Sequence, residues 1–311
     1  MPKCRTCAVE AETQLCPECD AIMVVTCPKC KVGAKLKEGF ACEACGRAGL
    51  CLGHIDREAG TCAECHIATD PSPPLGFRLL KRNEEGFREY LCEKDRSRMA
   101  LVSAGEFLYG ENKQRLYLPS FLIDVWPVTN GQYAKFCKAT GHPAPDDWDE
   151  PILSKPKQPV VGVSWHDAVA YCEWVGKRLP TDEEWEKAAR GHDGRKFPWG
   201  NEPPDDTRAN FGKRIGRTSS VGRFPDGRSP FGCADMAGNV LEWCGSWHLF
   251  ERRTRVLRGG AWVSEPNTLR TSLRFGDAPT CTYPIFGFRC ALDWGKHRAR
   301  PLAESSEVEA S

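Results

Sequence analysis

Three absences narrow the class of this 311-residue chain before any motif is considered. It has no apolar run of the about 18 residues that a membrane-crossing helix requires, so no spanning segment is expected. The N-terminus, MPKCRTCAVEAETQ, has no apolar h-region, so a secretory signal is not expected and a cytoplasmic location is. An excess of either charge is also missing, with 43 Lys and Arg against 42 Asp and Glu. That balance argues against membrane surfaces and nucleic acid as partners, because such binders usually carry a strong basic surplus. Histidine is sparse and scattered, at 54, 66, 142, 166, 192, 248 and 297, so no imidazole cluster is foreseen.

Turn formers and cysteine are plentiful. The 29 Gly, 23 Pro and 10 Trp predict much irregular backbone pinned by aromatic anchors. Of 18 cysteines, eleven lie before residue 66. They fall into pairs with two intervening residues: Cys4 and Cys7, Cys16 and Cys19, Cys27 and Cys30, Cys42 and Cys45, Cys51 and His54, Cys62 and Cys65. A tight turn at this spacing aims two soft ligands at one ion, and two such turns complete a tetrahedron. Three structural zinc ions are therefore expected over residues 1–66. Sequence order gives the simplest pairing, an interleaved one uses the same ligands, and His66 stands in reserve. The segment has too few large apolar residues for a core of its own. Each zinc supplies about 10–16 kcal/mol of binding free energy in its place. With eight Lys and Arg against nine Asp and Glu through residue 66, the module reads as a protein-docking unit.

Residues 67–76 (IATDPSPPLG) read as a linker, 77–293 as a second domain and 294–311 as a polar, disordered tail. FREYLCEKDRSRMALVSAGEFLYG predicts two strands around a turn at Asp95, with Cys92 as a core thiol. Three helices are expected. Thr129 or Asn130 caps one that ends at Gly141. Ser164 caps another with Ala168, Tyr171, Cys172 and Val175 on one face. Thr181 opens a third through a capping box with Glu184.

From Met99 to Leu292 the chain resembles the formylglycine-generating-enzyme, or sulfatase-modifying factor, family. The resemblance runs in order through MALVSAGEFLYG, VTNGQYAKFC, PVVGVSWHDAVAYCEWVGKRLPTDEEWEKAARG, FPWGN, FGCADMAGNVLEW, VLRGGAW and IFGFRC. It implies an α+β fold, the family's form of the C-type lectin fold, with small antiparallel sheets and much irregular structure. The family's enzymes bind copper through two cysteines just after the GG-S/A-W segment. Here that segment is RGGAWVSEPNTLRTSLR, with Ser264 and Leu269 near those places. Neither side chain replaces a thiolate for copper, so formylglycine generation is not expected. A second enzymatic branch needs clustered iron-binding histidines, which this chain lacks. The resemblance also implies calcium at Asn239 and Glu242. A second calcium site near Asn210 lacks a clear carboxylate. Cys172 and Cys290 match positions that form a disulfide in secreted members; in a reducing compartment they would be adjacent thiols.

The same fold is used by variable proteins of diversity-generating retroelements, whose C-terminal frame resembles Arg258, Gly259, Gly260, Trp262, Arg270, Arg274, Gly287, Phe288 and Arg289. Between these lie twelve candidates for a diversified surface: Val263, Ser264, Thr268, Leu273, Phe275, Gly276, Asp277, Cys281, Thr282, Tyr283, Pro284 and Ile285. All twelve are residue types that NNC codons encode, as adenine-directed mutation of AAC would leave them. The expectation is a non-catalytic domain that binds a protein ligand through residues 263–285. The alternatives are a fixed binding domain, or a metal-dependent oxidase with a rearranged site.

Overall fold

Each of the three helices begins where a hydroxyl precedes an apolar periodicity. In the computed structural model, which describes residues 13–15, 22–24, 73–80, 89–146, 148–248 and 252–294, α1 (Asn130–Thr140), α2 (Trp165–Val175) and α3 (Asp182–Arg190) follow Thr129, Ser164 and Thr181. All three starts are capping boxes. The cap hydroxyl accepts the amide of Gln132, Asp167 or Glu184, whose side chain accepts the cap's own amide in return. Each cap contributes about 1 kcal/mol. Gly141 ends α1 at φ +74, as expected.

The strands are β1 (Thr13–Leu15), β2 (Ile22–Val24), β3 (Phe77–Leu79), β4 (Glu89–Cys92), β5 (Arg98–Val102), β6 (Gly105–Tyr109), β7 (Gln114–Leu118) and β8 (Phe121–Asp124). They continue as β9 (Leu241–Trp247), β10 (Arg255–Arg258), β11 (Phe275–Asp277), β12 (Phe286–Phe288) and β13 (Ala291–Asp293). One antiparallel sheet runs β13-β8-β5-β4-β3, and a second runs β11-β10-β9-β12, with β12 parallel to β9. β6 and β7 form a separate hairpin, as do β1 and β2, which flank Cys16 and Cys19. All twelve expected zinc ligands lie outside the described residues.

The expected turn between β4 and β5 is present. Asp95 at its tip accepts the Ser97 amide at 2.9 Å and is tied inward by Lys177 and Tyr171. Cys92 is buried, as a core thiol should be. At the other end the sequence reading needs correction. The polar stretch that follows Trp294 groups it with the tail, yet Trp294 is buried and meets Tyr90 edge-on at 5.2 Å.

The first core cluster fills the space between α1, α2 and the β9–β12 pair. Tyr133 stacks on Tyr171 at 5.9 Å, with Phe136, Trp243 and Phe288 around them. Cys172 and Cys290 lie in this cluster as free thiols with sulfurs 3.5 Å apart. The second cluster packs Trp185, Ala188 and Ala189 of α3 against Ile123, Val125 and Val256, and encloses Cys233 and Cys244. Both clusters press on the sheet that carries the expected recognition segment.

Candidate recognition surface

Two buried arginines fix the ends of the segment. Arg258, at the end of β10, donates to Asp182 and Glu186 of α3 and to the carbonyls of Thr271 and Leu273. Arg289, after β12, donates to both carboxylate oxygens of Glu242 at 2.6 and 2.7 Å and to the carbonyls of Asp124, Val125 and Ala234. Neither side chain reaches solvent. Burial opposes each charge, but the facing carboxylates outweigh it and hold both guanidiniums above their ordinary pKa. Such pairs cost several kcal/mol per ion in desolvation, so losing one partner is far more damaging than keeping both.

The Arg289 pair bears on the calcium expectation. Glu242 spends its oxygens on Arg289 and on the indole N–H of Trp185, at 2.7 Å. Asn239 accepts the Ser219 amide and donates to the Ser219 carbonyl. The geometry therefore commits the carboxylate to a structural ion pair. Nothing within the GNVLEW stretch points to Arg289, 47 residues away.

The copper expectation can be examined at Gly260. This glycine has φ +75, and a Cβ placed on it would come within 2.7 Å of Leu269 and 3.3 Å of the Ser264 hydroxyl. Ser264 and Leu269 thus flank one point. There the Ser264 hydroxyl accepts the Ala261 amide at 2.9 Å and Leu269 is fully buried. Cys281 is the cysteine within the candidate stretch, and it is half-buried. The Asp277 carboxylate beside it, with some burial, holds its thiol above the ordinary range. Among the described residues no group of three His, Cys, Asp or Glu side chains is placed to hold a metal ion.

None of the twelve candidates is buried, whereas six of the nine frame residues, Arg258, Gly259, Gly260, Gly287, Phe288 and Arg289, are; Trp262 and Arg270 are half-exposed and Arg274 is exposed. Thr282, Tyr283 and Pro284 are exposed, with Tyr283 retaining 53% of its free surface. Val263, Phe275, Cys281 and Ile285 are half-buried and lean on the first core cluster. Thr268 and Leu273 are also half-exposed.

Two of the twelve have folding roles. Ser264 holds the turn at Ala261, and its carbonyl accepts the Gly212 amide. A Cβ on Gly276 would fall 2.4 Å from His248 Nδ1 and 2.8 Å from its Cβ, a position no rotamer change relieves. Asp277 caps the Ala278 amide at 2.8 Å. Thr282 also borders a cleft of about 170 Å³ lined by Tyr133, Pro143, Asp146, Gly162 and Asp167. No motif in the sequence marks Arg255, whose guanidinium lies between Trp165 and Trp247.

Residues 88–294 match the family described as the Sulfatase-modifying factor enzyme 1-like domain. The chain is 40% identical over 248 residues to the Inactive C-alpha-formylglycine-generating enzyme 2 of Bos taurus, covering 72% of this chain and 78% of that protein. It is 34% identical over 238 residues to the Serine/threonine-protein kinase Pkn1 of Chlamydia trachomatis serovar L2, covering 63% of this chain. It spans only 38% of that kinase's length. Among solved structures, PvdO from Pseudomonas aeruginosa superposes with a TM-score of 0.56 at 25% identity, covering 71% of this chain and 99% of that one. Treponema denticola variable protein 1 superposes with a TM-score of 0.55 at 20% identity, covering 70% and 99%, a likeness of fold. Among the described residues no helix is long and apolar enough to cross a membrane.

Proposed function

Since the chain belongs to the Sulfatase-modifying factor enzyme 1-like family, we propose that it is a member that recognises a protein ligand and does not oxidise one. One observation carries this: the twelve candidate side chains within 263–285 all keep part of their surface, while Arg258 and Arg289 on either side are sealed in the interior. A rigid scaffold with half-exposed apolar side chains is the chemistry of a binding surface. Phe275, Tyr283 and Ile285 are its apolar anchors. The serine and leucine beside Gly260 leave no thiolate pair for copper. Similarity to a relative named as inactive agrees with this.

The reading is tested by incubating the full chain with Cu(I), oxygen and a cysteine-containing peptide, and following peptide mass. No aldehyde product is expected. Turnover that Cys281→Ser abolishes would establish the oxidase instead. Diversification is a narrower proposal and rests on the twelve NNC-compatible residues. It requires a near-copy of the codons for residues 258–290, differing only at adenines, beside a reverse transcriptase; without that copy the surface is fixed. The paired cysteines of residues 1–66 are proposed to hold three structural zinc ions and to dock a separate protein.

A further inference from the structure

Among the described residues Arg255 has no carboxylate partner, unlike four other arginines of the domain. Arg258 meets Asp182 and Glu186, Arg289 meets Glu242, Arg178 meets Glu184 and Asp293, and Arg190 meets Glu186. The Arg255 guanidinium carbon instead lies 3.9 Å from the centre of the Trp165 ring and 3.4 Å from that of Trp247. Its single hydrogen bond among the described residues runs from Nη1 to the Gly245 carbonyl at 2.8 Å. Nε is buried without a partner, and Nη2 donates to nothing among the described residues. Asp277 faces Arg255 in the β10–β11 register, but its carboxylate serves the Ala278 amide and raises the pKa of Cys281. Trp165 is itself fixed, with its indole N–H on the Cys244 carbonyl at 2.9 Å and its backbone amide on the Pro279 carbonyl.

We propose that Arg255 is an anion-reading anchor of this surface, and that its Nη1–Nη2 edge takes a carboxylate from an acidic segment of the partner protein. The proposal rests on the recognition reading and extends that surface from β11 across β10 to β9. Two indoles hold the guanidinium plane in place, so little side-chain freedom remains to be lost on binding. With its faces covered by indoles, the group is closed to base stacking. What it offers is an in-plane donor edge, which matches a planar carboxylate. Trp165, Trp247 and Phe275 supply apolar contact around it, the residue types that dominate binding energy at interfaces. Asp277 one strand away disfavours a doubly charged phosphate more than a singly charged carboxylate.

The test titrates the full chain with a hexaglutamate peptide, a hexalysine peptide and a short single-stranded oligonucleotide, following tryptophan fluorescence. Hexaglutamate is expected to give a saturable, salt-sensitive change. Arg255→Gln should weaken it by about tenfold, and Asp277→Asn should tighten it by about twofold. If Arg255→Gln fails to fold, Arg255→Lys decides: it keeps the charge but loses the planar donor edge, so hexaglutamate affinity equal to wild type there overturns the proposal. Equal hexaglutamate affinity in wild type and Arg255→Gln, no binding by wild type, or tighter binding of the oligonucleotide each overturns the proposal. Those failures leave the recognition reading intact. That reading fails separately, if the exposed residues 282–284 prove necessary for folding.

Discussion

The frame and the segment it holds are built on opposite terms, although they alternate along one stretch of chain. Arg258 and Arg289 are fully buried, and each spends its donors on carboxylates and carbonyls from distant elements. Thr282, Tyr283 and Pro284, a few residues away, are exposed, and Phe275 and Ile285 present only part of their surface to the core. The frame is where change is expensive, and the segment is where change is tolerated. The half-buried pair and Gly276 mark the border between them.

The comparison is sharpened most by breaking the frame. Arg289→Ala leaves Glu242 buried with only the Trp185 indole as partner. It should cost about 3–5 kcal/mol, read as a lower urea midpoint; a loss under 1 kcal/mol would mean that the frame is not rigid. Next comes the border position Gly276→Val, whose Cβ meets the His248 ring. We expect a loss of about 2 kcal/mol from the forced shift of His248, just past β9, away from β11. Ile285→Ala removes a side chain only half-covered by the first cluster. It should cost roughly 1–2 kcal/mol, below the value for a fully buried isoleucine.

A smaller effect follows from Asp235. Burial pushes its carboxyl up to about 6, against the pull of the Gly222 amide and Arg289. The folded chain therefore holds this proton more tightly than the unfolded chain, whose aspartates titrate at about 3.9. The stabilisation is present below that lower value and is lost as pH rises through about 6. Asp235→Asn should thus gain about 1 kcal/mol over wild type at pH 8 and nothing at pH 4, measured by denaturation across that range. A gain that is larger at pH 4 would reverse the sign and contradict the account.

What the sequence revealed depended on how local the physics was. The three helix starts were legible because a cap acts on amides two or three residues ahead. Two of the boxes were missed only in part: Thr129 was one of two candidate caps, and Asp167 is shorter than the usual Glu or Gln. The family resemblance implied small antiparallel sheets with irregular connections, and the parallel pairing of β12 with β9 departs from that. The long-range ion pairs were not legible, since Glu242 and Arg289 are 47 residues apart and Arg258 and Glu186 are 72 apart. A carboxylate in a turn motif looks equally suited to a cation or an arginine until the partner is seen. Trp294 was misplaced for the same reason, because its contact with Tyr90 crosses most of the domain. The surface character of the twelve candidates rests on their places between the frame residues, and position in that frame does not show that Gly276 and Ser264 have folding roles.

The most direct test is the thermal midpoint of a combined Thr282→Ala, Tyr283→Ala, Pro284→Ala variant. If these side chains take no part in folding, the midpoint stays within about 4 °C of wild type, as a change near 1 kcal/mol gives in a domain of this size. A larger fall, or loss of the cooperative transition, would show that the segment is part of the core and contradict a surface free for recognition.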